Sequence, residues 1–77
     1  MAVGKTTEAL ADEIVDLARK GVISIPFRVA DFRPHVRGFS ETHITSVLSN
    51  YEKNGDQVLR GRRARFLRVG RGLYKTL

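Results

Sequence analysis

The sequence predicts one small α+β domain, mainly α, with three helices, a short edge strand and a C-terminal β-hairpin. With 77 residues the chain can hold one core, because so short a chain buries only about 60% of its unfolded surface. Two segments repeat apolar residues at helical spacing, and the last dozen residues alternate around glycines. We therefore expect a single domain over residues 1–77, with an ordered core over about 7–76.

The first helix is predicted over residues 7–20. Its apolar stripe consists of Leu10, Ile14, Leu17 and Ala18. Residues at this spacing share one face of an α-helix. Thr6 or Thr7 can cap its start, and Gly21 can end it in the left-handed conformation.

Two short elements are expected next. Residues 22–27 contain Pro26, which lacks a backbone donor, so this segment fits the edge of a sheet and not its centre. Residues 28–33 have two apolar side chains three apart and stop before Pro34. Since proline disfavours helix at the residue preceding it, a short second helix should end there.

The third helix is predicted from Ser40, its cap, to Tyr51, with Asn54 and Gly55 terminating the element. Its apolar stripe is Ile44, Val47, Leu48 and Tyr51. The other faces carry Thr42, His43, Thr45, Ser46, Ser49, Asn50 and, just beyond, Lys53. These side chains are mostly short, polar and uncharged, whereas an ordinary surface helix favours Glu and Lys.

The chain should close with a hairpin in which residues 66–69 and 73–75 flank Gly70-Arg71-Gly72, glycines that can adopt positive φ. Residues 56–65 are then expected to form a flexible loop. An alternative register pairs residues 58–59 with residues 66–67 and makes this loop the hairpin. The later hairpin is preferred.

Charge is distributed unevenly along the chain. Fourteen Lys and Arg against eight Asp and Glu give a net charge of +6, whose natural counterpart is a polyanion, most often nucleic acid. Residues 57–77 carry seven bases and no acid, whereas residues 1–20 carry four acids and three bases. Ten of the bases are arginine, which suits phosphate and guanine contacts. The alternative is a solvated surface that only maintains solubility.

The polar face of the third helix suits a DNA major groove, because short side chains let the backbone approach while still reaching base edges. The alternative is an ordinary amphipathic helix. The position of this helix, after a short helix and turn and before a basic hairpin, favours the DNA interpretation.

This order of elements resembles winged helix-turn-helix domains, with residues 40–51 as the recognition helix and residues 68–75 as the wing. The resemblance covers roughly residues 8–75. The closing string Arg-Val-Gly-Arg-Gly-Leu-Tyr-Lys is similar to the hairpins of small prokaryotic winged-helix domains found in restriction, abortive-infection and antitoxin proteins. Only this octapeptide is at all specific.

The resemblance implies that the recognition helix faces the groove and that the wing tip touches phosphate or the minor groove. The expected DNA-binding residues of the helix and its flanks are Ser40, Thr42, His43, Thr45, Ser46, Ser49, Asn50 and Lys53. Those of the loop and wing are Arg60, Arg62, Arg63, Arg65, Arg68 and Arg71. The loop is longer than a direct connection and would supply a second phosphate contact.

Catalytic, metal and cofactor chemistry is not expected. The chain has no cysteine, and His35 and His43 have no nearby partners at ligand spacing. Gly4-Lys5-Thr6 copies the end of a phosphate-binding loop without the preceding glycine and strand. Tyr51 and Tyr74 could stack on bases, but core packing is preferred for both.

We therefore expect a non-enzymatic double-stranded DNA binder, cytoplasmic and nucleoid-associated, with no membrane span, small-molecule substrate or cofactor. It would act as a small transcriptional regulator or a chromosome or mobile-element accessory factor. Because one helix reads few base pairs, selective action should need a homodimer, a tandem site or a partner protein. The rivals are a protein-docking adaptor of the same fold and an RNA- or ribosome-associated basic protein.

Overall fold

The computed structural model describes residues 6–77, apart from the side chain of Asp56; Gly4 and Lys5 lie outside this range. The helices are α1 (Thr7–Arg19), α2 (Val29–Phe32), α3 (Glu41–Asn50) and α4 (Asp56–Leu59), and a 3-10 helix covers Arg33–His35. The strands β1 (Phe66–Gly70) and β2 (Leu73–Thr76) form an antiparallel pair. The α+β class is confirmed, but the prediction of three helices omitted one short helix.

Helix α1 begins and ends as its sequence predicts. The Ala9 backbone N–H donates to the Thr6 hydroxyl oxygen at 3.1 Å, which satisfies one of the free donors of the first turn. At the other end Gly21 has φ +74°. Its N–H donates to the Ala18 carbonyl at 3.2 Å, and the Val22 N–H donates to the Leu17 carbonyl at 3.0 Å. This pair of bonds closes the helix with a left-handed glycine.

The predicted edge strand over residues 22–27 is reduced to one residue. Phe27 and Tyr74 exchange two backbone hydrogen bonds, of 2.8 and 2.9 Å, and form an isolated bridge to β2. Val22 and Ile25 remain about half exposed. Since Pro26 has no N–H to donate, the residues before Phe27 cannot extend the ladder regularly.

Helix α2 ends at Phe32, before Pro34 as predicted, but the chain continues directly into the 3-10 helix that contains this proline, which the prediction omitted. Proline is tolerated there because a backbone N–H in the first turn of a helix would have no acceptor within that helix, so its lack costs little. The start of α2 is fixed by the Asp31 carboxylate, which accepts from the Arg28 N–H at 2.8 Å. Arg33 then forms an ion pair with Glu41 in the first turn of α3.

Helix α3 also starts as predicted, with the Ser40 hydroxyl accepting from the His43 N–H at 3.2 Å. It ends with Tyr51 as C-cap. Gly55 was expected to terminate the helix in a left-handed conformation, but it has another role. Gly55 has no positive φ. A Cβ added there would lie 2.2 Å from the Ser49 carbonyl oxygen and 2.4 Å from that of Asn50. Glycine is therefore needed because the chain passes so closely over the last turn of α3.

The flexible loop expected over residues 56–65 is wrong in its first half, where the chain forms α4. Gly61, with φ +99°, ends this helix. Its N–H donates to the Val58 carbonyl at 3.0 Å, and the Arg62 N–H donates to the Gln57 carbonyl at 2.9 Å. Because residues 58–59 are helical, the alternative hairpin register does not form.

The preferred later hairpin is confirmed. Leu67 lies opposite Lys75 and Arg68 opposite Tyr74, and an irregularity between Arg68 and Gly70 leaves Val69 without a partner. Of the two turn glycines only Gly72 takes a positive φ, +68°.

The base of the hairpin joins the end of α3. The Tyr51 carbonyl accepts from the N–H groups of Arg65 and Phe66 at 2.8 and 3.1 Å, and the Lys53 N–H donates to the Phe66 carbonyl at 3.0 Å. The core between the helices and the hairpin is built from apolar side chains and Tyr51. Within it Phe27 and Phe66 meet edge to face, with ring centroids 6.0 Å apart.

Candidate nucleic-acid interface

One face of α3 is open to solvent and lacks Lys and Arg. Thr42, Thr45 and Ser49 are exposed, while His43, Ser46 and Asn50 are partly exposed beside them. Ile44, Val47 and Leu48 are buried on the opposite face. The structure therefore brings the six groove-facing residues of the predicted recognition helix onto its solvent side.

Three hydroxyl groups on this face donate to the backbone of their own helix. Thr45 Oγ1 donates to the carbonyls of Glu41 and Thr42 at 3.0 and 3.2 Å. Ser46 donates to the Thr42 carbonyl at 2.6 Å, and Ser49 donates to the Ser46 carbonyl at 3.1 Å. Since the hydroxyl hydrogens of Thr45, Ser46 and Ser49 are engaged in this way, these residues present oxygen lone pairs and a threonine methyl group outward.

His43 reaches the surface with only part of its ring. Its Nδ1 atom is buried and has no hydrogen-bond partner among the described residues. Ser40 and Lys53 lie at the two ends of α3. The Ser40 oxygen is engaged in capping, whereas the Lys53 side chain is exposed.

The hairpin presents three exposed bases: Arg68, Arg71 and Lys75. Arg68 Nε donates to the Gly70 carbonyl at 3.3 Å, which holds its guanidinium beside the turn. Arg71 occupies the turn itself. Lys75 was not among the expected contact residues, although strand alternation around the turn would have indicated its exposure. Arg71 and Lys75 form no ion pair within the described part of the chain.

The basic segment that precedes the hairpin is partly engaged by helix α1. Arg62 Nη1 lies 3.3 Å from the Glu8 carboxylate, and Arg65 forms an ion pair with Asp12 while its side chain is only 20% exposed. Arg63, between them, is exposed and forms no ion pair with any described residue. Arg60 is also exposed. The four arginines of this segment thus have different environments.

Acidic side chains of α1 form ion pairs with basic side chains. Glu8 and Asp12 face Arg62 and Arg65, and one turn further on Asp16 Oδ2 lies 2.8 Å from Lys20 Nζ. The hydrogen bond and charge of Asp16 raise the pKa of Lys20. The positive potential of the protein is therefore expected near the hairpin, where Arg68, Arg71 and Lys75 form no ion pair with a described residue.

Core packing is confirmed for Tyr51, which is 4% exposed, and Tyr74 packs against the core while partly exposed. No helix within residues 6–77 has the length and apolarity needed to cross a membrane. Among the same residues, no three His, Asp or Glu side chains gather as metal ligands.

No family model, curated protein or solved structure matches this chain.

Proposed function

We propose that the chain is a winged-helix domain that binds double-stranded DNA, with α3 as the recognition helix and the β1–β2 hairpin as the wing. The observation that carries this proposal is the joining of two surfaces. The end of α3 lies beside the base of the hairpin, where hydrogen bonds at Tyr51 and Lys53 hold the two elements together. One duplex segment can therefore engage both surfaces.

The connectivity supports the fold assignment. Along the chain come α1, a residue that bridges β2, the short helix α2 with the 3-10 helix after it, the longer helix α3, the short helix α4 and the hairpin. The single bridge between Phe27 and Tyr74 brings the segment after α1 alongside β2 of the two-stranded hairpin. In helix-turn-helix proteins the second helix of the motif enters the major groove, which here is α3.

The chemistry of α3 indicates which base edges it reads. Outward lone pairs on Thr45, Ser46 and Ser49 accept hydrogen bonds, so they suit the amino groups of adenine and cytosine, and the threonine methyl groups suit thymine. Asn50 can make the paired contact with adenine. Since α3 has no Arg or Lys, it lacks the side chains that usually read guanine. We therefore expect the base pairs that contact α3 to be rich in adenine and thymine.

The electrostatic part of binding comes from exposed bases outside α3. Five exposed bases that lie on the hairpin or next to it and the end of α3 in sequence form no ion pair with a described residue, and they are Lys53, Arg63, Arg68, Arg71 and Lys75. If all five contact phosphates, the logarithm of the binding constant falls against the logarithm of salt concentration with a slope of about −4.5, at roughly −0.9 per phosphate. Arg62 and Arg65 are assigned to the α1 contacts instead.

In the cell this activity fits a small transcriptional regulator or an accessory factor of chromosomes or mobile elements, located in the cytoplasm on the nucleoid. A single module reads few base pairs, so selective action requires a homodimer, tandem sites or a partner protein. Sedimentation of the free and DNA-bound chain measures this directly. A monomer in both states at high concentration would exclude the homodimer.

The test of DNA binding is a salt titration with a fluorescently labelled random duplex, followed by anisotropy. Wild type should bind with the steep slope given above, and Arg71→Ala should weaken binding and reduce the slope by about 0.9. Arg19→Ala is the matched control, because it removes the same charge from α1. Absence of binding at about 50 mM salt, where charge contacts are strongest, would contradict the proposal. Displacement of the duplex by structured RNA at matched salt would contradict the choice of DNA.

A further inference from the structure

The imidazole of His43 has one ring nitrogen inside the protein and the other at its surface. Nδ1 is buried without a hydrogen-bond partner among the described residues, and no other buried or partly buried side chain in that part of the chain has such an atom. Nε2 is not buried in this way and forms no hydrogen bond with a described residue, so it meets solvent.

The buried nitrogen decides where the imidazole proton sits. A neutral imidazole has one N–H group and one nitrogen lone pair. A proton on Nδ1 would leave a buried donor without an acceptor, and orphaned buried N–H groups are rarer in proteins than under-satisfied acceptors. A proton on Nε2 can instead donate to water or to a ligand. The structure therefore favours the Nε2–H tautomer of His43, in which the outward nitrogen donates and cannot accept.

The position of His43 brings this donor to the proposed DNA surface. His43 lies in the first turn of α3, where its backbone N–H donates to the Ser40 hydroxyl oxygen at 3.2 Å. The N-terminal residues of a recognition helix are those that contact base edges. The neighbouring hydroxyls of Thr45 and Ser46 donate to helix carbonyls and so present lone pairs outward. His43 has the opposite hydrogen-bonding character.

We propose that His43 determines specificity at one base of the DNA target, an inference that rests on the proposed function. Its Nε2–H donates to an acceptor on the major-groove edge, which is N7 of a purine, O6 of guanine or O4 of thymine. Cytosine presents only its N4 amino donor there, so two donors would face each other and neither would be paired. His43 therefore excludes cytosine at this position from the strand that it contacts.

Partial burial makes this contact selective. The ring of His43 is only partly exposed, so little side-chain freedom remains to be lost on binding. The hydroxyl of Thr42 and the amide of Asn50 can each donate or accept. His43 cannot change from donor to acceptor without placing its proton on the buried nitrogen.

The first experiment measures the tautomer without DNA. Long-range ¹H–¹⁵N correlation spectra of the ¹⁵N-labelled full chain, at a pH at which histidine is neutral, distinguish protonated from unprotonated ring nitrogens. A His35→Gln variant assigns the signals, because His35 is the other histidine of the chain. His43 should show a protonated Nε2 and an unprotonated Nδ1. A protonated Nδ1 would overturn the proposal whatever the DNA result.

The second experiment measures base preference. Duplexes that wild type selects from a random pool define its preferred site, and each base pair of that site is then replaced while affinity is followed by anisotropy. Cytosine at one position should weaken wild-type binding about tenfold. His43→Ala should lower affinity for the preferred site about fivefold, as expected for one hydrogen bond, and should remove the cytosine penalty at that position alone.

Two further variants separate the donor from its position. His43→Gln carries an amide that donates or accepts, so it should keep most of the affinity while tolerating cytosine. His35→Ala is the matched control, because it removes an exposed histidine from the 3-10 helix, and it should change neither affinity nor preference. Thermal melts verify that each variant folds, and the tautomer measurement on wild type decides the proposal if a variant does not.

The proposal would be overturned by unchanged affinity of His43→Ala or by a cytosine penalty that survives in this variant. A loss of affinity that is equal for every base would overturn it as well, since it would place His43 on a phosphate. If wild type binds duplexes without any base preference, this inference fails alone. If wild type binds no duplex, the proposed function fails with it.

Discussion

Replacing Gly55 with alanine tests the close passage of the chain over the end of α3. The added Cβ would lie 2.2 Å from the Ser49 carbonyl oxygen, and 2.4 and 2.6 Å from the oxygen and carbon of the Asn50 carbonyl. These neighbours are backbone atoms in the last turn of a helix, so they cannot rotate away as a side chain would. The segment from Gly55 to α4 must shift by about an ångström to relieve the overlap.

Overpacking of this kind costs about 1–3 kcal/mol, and the rigid obstacle places Gly55→Ala at about 3 kcal/mol. A domain of this length has a free energy of unfolding of about 4–12 kcal/mol, so the variant loses a quarter or more of it. Since 1 kcal/mol corresponds to about 4–8 °C for a small domain, the Tm should fall by roughly 10–25 °C.

Thermal unfolding followed by circular dichroism measures this shift. Gly61→Ala is the matched control, because Gly61 has φ +99° but nothing within 4 Å of an added Cβ. Its cost is the left-handed backbone alone, about 1–2 kcal/mol. A Tm for Gly55→Ala within about 5 °C of wild type, or a smaller loss than for Gly61→Ala, would refute the close-approach argument.

Three further measurements test a helix cap, an ion pair and a buried tyrosine that stabilise the elements of the proposed DNA-binding surface. Ser40→Ala should lower the free energy of unfolding by about 1 kcal/mol through loss of the cap, whereas Ser40→Asp should retain it; equal loss in both would contradict the capping role. A double-mutant cycle between Asp12 and Arg65 should give a coupling of about 0.5–1 kcal/mol that salt reduces, and zero coupling at low salt would exclude a stabilising pair. Because burial raises the pKa of Tyr51, its contribution to stability is full below the ordinary value of about 10 and is lost as pH rises through the raised value. The free energy of unfolding of wild type, measured by chemical denaturation, should therefore fall more over this pH range than that of Tyr51→Phe. An equal fall in both proteins would contradict the effect of the buried phenol.

The elements that local patterns determine were predictable from the sequence. Helices α1 and α3 have clear apolar stripes and capping residues at their starts, and the hairpin has a glycine at the turn position that needs positive φ. Helix α4 was missed because four residues give no periodicity. The nearby Gly55 and Gly61 indicated a loop, although one serves close packing and the other ends the helix.

The candidate surface was only partly predictable for a related reason. The hydroxyl face of α3 follows from helical periodicity, which acts over a few residues. The partners of Arg62 and Arg65 lie 54 and 53 residues away in the chain, so no local pattern indicates that these arginines contact α1.

The most direct test of the account is to map a short adenine- and thymine-rich duplex onto the ¹⁵N-labelled chain by chemical-shift perturbation. The account predicts that the largest amide shifts fall in residues 41–50 and 68–75, with the middle of α1 unaffected. An Asn50→Ala variant, which removes the side chain suited to a paired contact with adenine, should lower the preference for this duplex over a guanine-rich one. Shifts centred on α1 or α2, with α3 and the hairpin unchanged, would contradict the central claim that α3 and the hairpin form one DNA-binding surface.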